Sequence, residues 1–132
     1  MSDADRVAAF LKLAREDLEA ARLLKFGVPR QAAFFVQQAA EKVGKSLLIG
    51  EGVDPARIHA IGRLAAELPE AHPLRLELMA LDRLSVYATA TRYPSPTGKL
   101  PRAPDLAVIE IEIGRVAELL DRARSHLVKP RR

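Results

Sequence analysis

The sequence contains no cysteine, so a disulfide, a thiolate nucleophile and a cysteine-ligated zinc site are all excluded. It also lacks an apolar run of about 18 residues, the length that predicts a membrane-spanning helix. The first residues are rich in charge and lack the apolar stretch of a secretory signal. These absences predict a cytoplasmic protein that does not enter a membrane.

The sequence does contain enough apolar material for one folded domain. Its 132 residues are 48% hydrophobic, and a chain of this size buries roughly two-thirds of its unfolded surface. Three of the 21 basic side chains lie within residues 129–132, so the net charge of +4 is concentrated at that end. Residues 1–128 carry 18 basic and 17 acidic side chains. We therefore expect one nearly neutral domain over 1–128, followed by a basic tail over 129–132, rather than a globally basic nucleic-acid surface.

Glycine and proline divide the chain into pieces whose apolar residues recur every three or four positions, the spacing of one helix face. The pieces span residues 5–26, 29–48, 58–68, 73–91 and 109–127. Residues 92–104 contain four of the nine prolines and are predicted to form a loop. Four long helices and one short one predict an all-α fold, an antiparallel up-and-down four-helix bundle with an additional short helix.

The last piece is ambiguous over its first residues. Ile109, Ile111 and Ile113 alternate with two glutamates, which is typical of a strand. The same piece keeps a four- and three-residue apolar spacing for almost its whole length, and a lone strand would have no partner in this chain. A helix is therefore the preferred interpretation.

The second helix is unusual because an aromatic residue, Phe34, lies within its polar face. The same face carries Gln38, Glu41, Lys42 and Lys45, with Leu48 at its edge. A phenylalanine left in water forgoes about 1.5–3 kcal/mol of burial. We therefore expect this face to be covered by another helix of the chain, by a second subunit or by a partner. The order of Glu41 and Lys45 also fits a plain solvated ion pair.

The end of the fourth helix carries the sequence Arg92-Tyr93-Pro94. Pro94 prevents the helix from continuing, and Arg92 would be stabilised there by the helix dipole. Arg92 and Tyr93 also suit ligand binding, since guanidinium binds phosphate in a bidentate way and a phenol ring offers a stacking face. The structural and the ligand-binding interpretations both stay open on these residues alone.

Recognisable catalytic machinery is scarce in the sequence. No two of His59, His72 and His126 are three or four residues apart, and no Glu-x-x-His motif is present. We therefore expect no metal and no other cofactor. No nucleophile elbow surrounds a serine, and no glycine-rich phosphate loop is present.

Three linked segments resemble the HEPN domain family. Residues 34–48 resemble the second helix of these domains (FFVQQAAEKVGKSLL), and residues 59–64 resemble the short helix, led by a histidine, that follows it (HAIGRL). Arg92-Tyr93-Pro94 resembles the arginine–tyrosine–proline element after the family's fourth helix. The order and spacing of the three segments match over nearly the whole chain.

The resemblance implies an all-α bundle that forms a homodimer. It also implies a nucleotide ligand or a minimal nucleotidyltransferase partner, because stand-alone members commonly pair with such an enzyme in complexes of the toxin–antitoxin kind. Other branches of the family are metal-independent ribonucleases with an Arg-x(4–6)-His motif. None of the three histidines here has an arginine at those distances upstream, and Ala60 replaces the aspartate that often follows the family's histidine.

We therefore predict a non-catalytic HEPN module that forms a homodimer and binds a nucleotide or a nucleotidyltransferase protein. The candidate ligand-binding residues are His59, Arg92, Tyr93 and Lys45. The candidate interface residues are Phe34, Gln38, Glu41 and Leu48. Two alternatives stay open: a purely structural helical subunit, and a ribonuclease toxin with a degenerate site. The second would act on RNA with Arg92 as its cation and His59 as its acid or base.

Overall fold

The computed structural model describes residues 2–128, and every regular element within them is helical. The elements in chain order are α1 (Asp3–Leu24), α2 (Pro29–Gly50), α3 (Ile61–Glu67), α4 (Arg75–Ala80), a 3₁₀ helix (Asp82–Ala88) and α5 (Leu106–Leu127). This architecture confirms the predicted all-helical fold class, while the tail predicted over 129–132 lies outside the described residues. None of the helices in residues 2–128 has the length and apolarity that crossing a membrane requires.

Most of the core lies between the three long helices α1, α2 and α5, and the shorter elements add Leu64, Leu78 and Leu84 to it. α1 and α2 pack against each other along most of their length, where Ala14, Ala21 and Ala39 are fully buried. Small side chains at such contacts allow two helix axes to approach closely. α5 packs against both helices and contributes Val116 and Leu120 to the core. One flank of α2 is left for the shorter elements α3 and the 3₁₀ helix.

The structure resolves the ambiguity at the start of α5 in favour of a helix. Ile109 and Ile113 are buried, four residues apart on one face, whereas Ile111 between them is exposed. A strand would have placed all three isoleucines on the same face. The helical interpretation is confirmed, and the strand alternative is wrong.

The region predicted as one helix over residues 73–91 is divided, so that prediction is wrong. α4 ends at Ala80, and the tighter 3₁₀ winding follows. The 3₁₀ helix places two polar side chains at the start of α3, which has no capping side chain of its own. Asp82 Oδ1 accepts the Gly62 N–H at 2.7 Å, and Ser85 Oγ accepts the Ile61 N–H at 3.0 Å. An apolar spacing of three and four residues does not distinguish 3₁₀ from α winding.

Gly62 is required for this contact between α3 and the 3₁₀ helix. A Cβ atom at this position would lie 2.6 Å from Asp82 Cγ, well inside van der Waals contact. The absence of a side chain at Gly62 therefore lets the carboxylate reach the backbone N–H directly. This explains why a glycine stands in the first turn of a short helix, where it is otherwise unfavourable.

Candidate functional site

The polar face of α2 is largely buried within the chain. The Glu41 and Lys45 side chains are only 11% and 10% exposed, Leu48 is fully buried, and Phe34 and Gln38 are half-buried. α3 and the 3₁₀ helix pack against α2, and the loop before α5 reaches its first half. The sequence left three possible sources for the residues that cover this face of α2: the chain itself, a second subunit or a partner. In the structure the covering residues come from the chain itself. A role of Phe34, Gln38, Glu41 and Leu48 in an interface with a second molecule stays a prediction.

Glu41, Lys45 and His59 form a cluster at the C-terminal half of α2. Lys45 Nζ lies 3.4 Å from Glu41 Oε2 and 3.4 Å from His59 Nδ1, and the amide of the buried Gln37 donates to Glu41 at 3.3 Å. Because both charged side chains are nearly buried, the interpretation of Glu41 and Lys45 as a solvated pair is wrong. His59 is the accessible member, with 69% of its side chain exposed. The ammonium and the carboxylate offset each other, so the cluster is electrically balanced.

A cleft of about 500 Å³ opens at the other end of α2. Its walls come from residues 27–31, 91–94, 100, 101 and 103, so it lies between the start of α2 and the loop that precedes α5. α2 begins here because Pro29 suits the first helical turn. We call this site the arginine cleft, because Arg30 and Arg92 are the only charged residues that line it in the part of the chain that the structure describes.

The two guanidinium groups of the arginine cleft are held by different contacts. Arg92 stacks 4.7 Å above the Phe34 ring and lies 5.6 Å from the Tyr93 ring, and stacking leaves the N–H edge of a guanidinium free. Arg30 Nε donates to the Pro101 carbonyl at 2.7 Å, which leaves its terminal nitrogens available. Within residues 2–128, no carboxylate lies at ion-pair distance from either arginine. The cleft therefore presents two positive charges without a counter-charge.

The four residues predicted to bind a ligand together occupy two separate places. His59 and Lys45 contact each other, whereas Arg92 and Tyr93 line the arginine cleft. His59 contacts α2 at Lys45, and Arg92 contacts it at Phe34. These two positions on α2 are about three turns, or 16 Å, apart. The structure thus does not bring the four residues into one cleft, and their individual roles in ligand binding stay predictions.

Arg30 is a cleft residue that the sequence analysis did not single out. It follows Pro29 in the first turn of α2 and precedes Phe34 by four positions, so the two side chains share one helix face. This four-residue spacing from Phe34 is the sequence feature that could have identified Arg30. What it could not reveal is the loop around Pro101, which folds back onto Arg30 and forms the opposite wall of the cleft.

Glu51, His72 and His126 bring three potential metal-ligand atoms within 4.8 Å of one another. His72 is buried, and its Nδ1 accepts the backbone N–H of Leu74 at 3.0 Å. A neutral imidazole that accepts at Nδ1 carries its proton on Nε2, which then has no lone pair for a metal. This Nε2 faces Glu51 Oε1 at 3.5 Å. Because Nε2 carries the proton, the group fits an internal contact between the ends of α2 and α5 better than a metal site. Burial and the neighbouring His126 lower the pKa of His72.

Comparisons with known proteins agree on one family. The family model for the HEPN domain matches residues 7–127. The crystal structure of TT1696 from Thermus thermophilus is similar with a TM-score of 0.78 and 31% sequence identity, over 92% of this chain and 98% of that one. ST0689, an archaeal HEPN homologue, is similar with a TM-score of 0.71 and 26% identity, over 96% and 99% of the two chains. A search of curated proteins found no match.

The family match includes most of α1 and all of the other five helical elements, and the similarity to TT1696 extends over nearly its full length. The arginine cleft and the Glu41–Lys45–His59 cluster both lie within the matched residues. This protein belongs to the HEPN domain family.

Proposed function

We propose that this protein is a non-catalytic HEPN module whose arginine cleft binds a nucleotide. The observation that carries the proposal is the pair of guanidinium groups, on Arg30 and Arg92, that have no carboxylate partner within residues 2–128 and stand beside the exposed ring of Tyr93. Guanidinium binds phosphate through charge-assisted N–H bonds, and an aromatic ring stacks on any nucleobase. A nucleotide offers both groups, and the cleft volume lies within the roughly 300–1,000 Å³ of small-molecule sites.

The arrangement of the candidate catalytic groups supports binding rather than cleavage. Among the described residues that line the arginine cleft there is neither a histidine nor a carboxylate to act as a general acid or base. His59, the acid or base of the ribonuclease alternative, contacts Lys45 at the other half of α2. Within one chain, His59 and Arg92 therefore do not form the pair that RNA cleavage would require.

Titration calorimetry with AMP, GMP, CMP, UMP and ATP tests the proposal. We expect binding that Arg92→Gln weakens by about tenfold or more, because a charge-assisted contact to phosphate is lost. Arg63→Gln is the matched control, since Arg63 is an exposed arginine on α3 outside the cleft. If no nucleotide produces heat at millimolar concentration with the folded protein, the proposal is wrong.

A second observation favours a protein partner at the rim of the cleft. Val28, Tyr93 and Leu100 all line the cleft and are 45%, 61% and 73% exposed. Exposed apolar side chains that lie close together are typical of interaction surfaces. We propose that this rim contacts a second copy of the chain or the minimal nucleotidyltransferase that the family resemblance implies.

Light scattering tests the homodimer, and titration tests the nucleotidyltransferase partner. A homodimer gives a mass of twice the 14.5 kDa chain, and Leu100→Asp should shift it towards the monomer because a charge would enter an apolar contact. A single 14.5 kDa species at high concentration contradicts the homodimer. Titration with a purified minimal nucleotidyltransferase encoded beside this chain tests the other partner, and binding that Leu100→Asp leaves unchanged would exclude the rim.

A further inference from the structure

Charge balance distinguishes the arginine cleft from three other places where basic side chains pack against the helices. Lys42 donates to Asp17 at 2.5 Å, Lys45 pairs with Glu41 at 3.4 Å, and Arg83 Nη2 donates to the two carboxylate oxygens of Glu112 at 2.8 and 2.9 Å. In each case the carboxylate is supplied by the chain. Arg30 and Arg92 converge on one cleft from different segments, and no described carboxylate accompanies them.

Both arginines of the cleft keep donor groups that no described residue uses. Arg30 is fixed at the start of α2 by its Nε bond to the Pro101 carbonyl, so its terminal nitrogens are the ones left for a ligand. Arg92 lies with its guanidinium carbon 4.7 Å from the centre of the Phe34 ring, and within residues 2–128 its side chain donates no hydrogen bond. The hydrogen bond to Pro101 preorganises Arg30, so less side-chain entropy is lost there when an anion binds.

The chemistry of phosphate esters decides which anion satisfies this pair. A phosphate monoester carries about 1.5 to 2 negative charges at neutral pH and three strong acceptor oxygens. A diester carries a single charge and has two unesterified oxygens. Two guanidinium groups that each bind in a bidentate way need several acceptor positions and two negative charges. A diester would leave one positive charge of the cleft uncompensated.

We infer that the arginine cleft is a phosphomonoester site, in which Arg30 and Arg92 together bind the terminal phosphate of a mononucleotide and Tyr93 stacks on its base. The inference rests on the proposed function and narrows it, because it selects a nucleotide with a terminal phosphate over an internal phosphodiester of a strand. Arg30 is assigned a direct ligand contact.

Titration calorimetry with three matched probes tests the inference. The probes are AMP, its methyl ester adenosine 5′-methylphosphate, and adenosine, which share one nucleoside and differ in phosphate charge. We expect AMP to bind at least about tenfold more tightly than the methyl ester, and adenosine to bind most weakly. Equal affinity for AMP and its methyl ester would overturn the monoester inference and leave the proposed function standing. If none of the three binds and GMP, CMP, UMP and ATP also produce no heat, both fail.

Variants of the two arginines assign the preference to the cleft. In Arg30→Gln and in Arg92→Gln, the preference for AMP over the methyl ester should fall below about threefold, while Arg63→Gln keeps the full preference. Arg92 donates no side-chain hydrogen bond within residues 2–128, so Arg92→Gln tests the charge even if Arg30→Gln disturbs the loop at Pro101. Thermal melting confirms that each variant is folded. A tenfold preference that survives in both variants overturns the inference.

Discussion

Basic side chains near the two ends of α2 stand in opposite electrostatic settings. In the C-terminal half, Lys45 is nearly buried and has Glu41 beside it. At the N-terminal end, Arg30 and Arg92 face a cleft to which the described residues contribute no carboxylate. In the first setting the polar groups satisfy one another, and in the second their donors remain free for another molecule. Charge balance, more than the presence of basic residues, therefore separates a structural cluster from a candidate ligand site in this bundle.

The largest effect is expected where a balanced charge is removed. Glu41→Ala leaves the nearly buried Lys45 without a counter-ion, and we expect the free energy of unfolding to fall by about 3 kcal/mol in urea denaturation. The double variant Glu41→Leu with Lys45→Met should recover most of this loss, because an apolar pair carries no desolvation penalty. A loss below about 1 kcal/mol would show that the pair behaves as a surface salt bridge and would remove one side of the comparison.

The opposite pattern is expected at the cleft. Arg92→Gln should weaken AMP binding by about tenfold but reduce the free energy of unfolding by at most about 1 kcal/mol, the range of an exposed cation–π contact. Calorimetry and urea denaturation of the same preparation give both values. If the stability loss equals that of Glu41→Ala while AMP affinity is unchanged, Arg92 is a structural residue and the cleft is not a ligand site.

His72 adds a third setting to the comparison. This buried side chain lies near the C-terminal end of α2, and burial favours its neutral form instead of a charge that a neighbour balances. Burial lowers the pKa of His72 below its ordinary value of 6.5. The unfolded chain therefore takes up a proton at higher pH than the folded chain, and stability should fall as the pH decreases through 6.5 towards the folded pKa. Below both pKa values this histidine causes no further loss.

Urea denaturation at several pH values between 7.5 and 5, roughly the range over which histidines titrate, isolates this effect when the protein is compared with His72→Gln. The variant lacks the titrating ring, so its stability should depend less steeply on pH over this range. Parallel pH profiles for the two proteins would show that His72 is not the group responsible.

The smallest effect is expected at His59, the exposed member of the balanced cluster. His59→Ala should change the free energy of unfolding by no more than about 0.5 kcal/mol, as is usual for a surface position. AMP binding should also be unchanged, because His59 contacts α2 about 16 Å from the level of Phe34. A tenfold loss of AMP affinity would mean that both halves of α2 contact one ligand, and the distinction between them would disappear.

The long helices could be predicted because the information for each is local. An apolar stripe with a proline or glycine near at least one of its ends defines each of them, and α2 begins at Pro29 as its sequence indicates. The division of residues 73–91 could not be predicted in this way. Its cause is the contact of Asp82 and Ser85 with the start of α3, and the residues joined by these two bonds are 20 and 24 positions apart in the chain.

The candidate site was predictable only in part for a similar reason. Arg92 and Tyr93 could be selected because their chemistry suits phosphate and bases, and both line the cleft. Their partner Arg30 could not, because only the packing of the loop near Pro101 against the start of α2 brings the two arginines to one cleft. Lys45 was selected for its charge, and its neutralisation by Glu41 depends on burial that the sequence alone does not quantify.

The cap that the 3₁₀ helix provides for α3 makes these two short elements depend on each other. If the 3₁₀ helix unwinds, the Ile61 and Gly62 N–H groups lose their acceptors, and a helix of seven residues has too few bonds of its own to persist. Their backbone amides should consequently exchange with deuterium at a common rate, as one cooperative unit within the bundle. Residues 61–88 would then open together while α1, α2 and α5 remain closed.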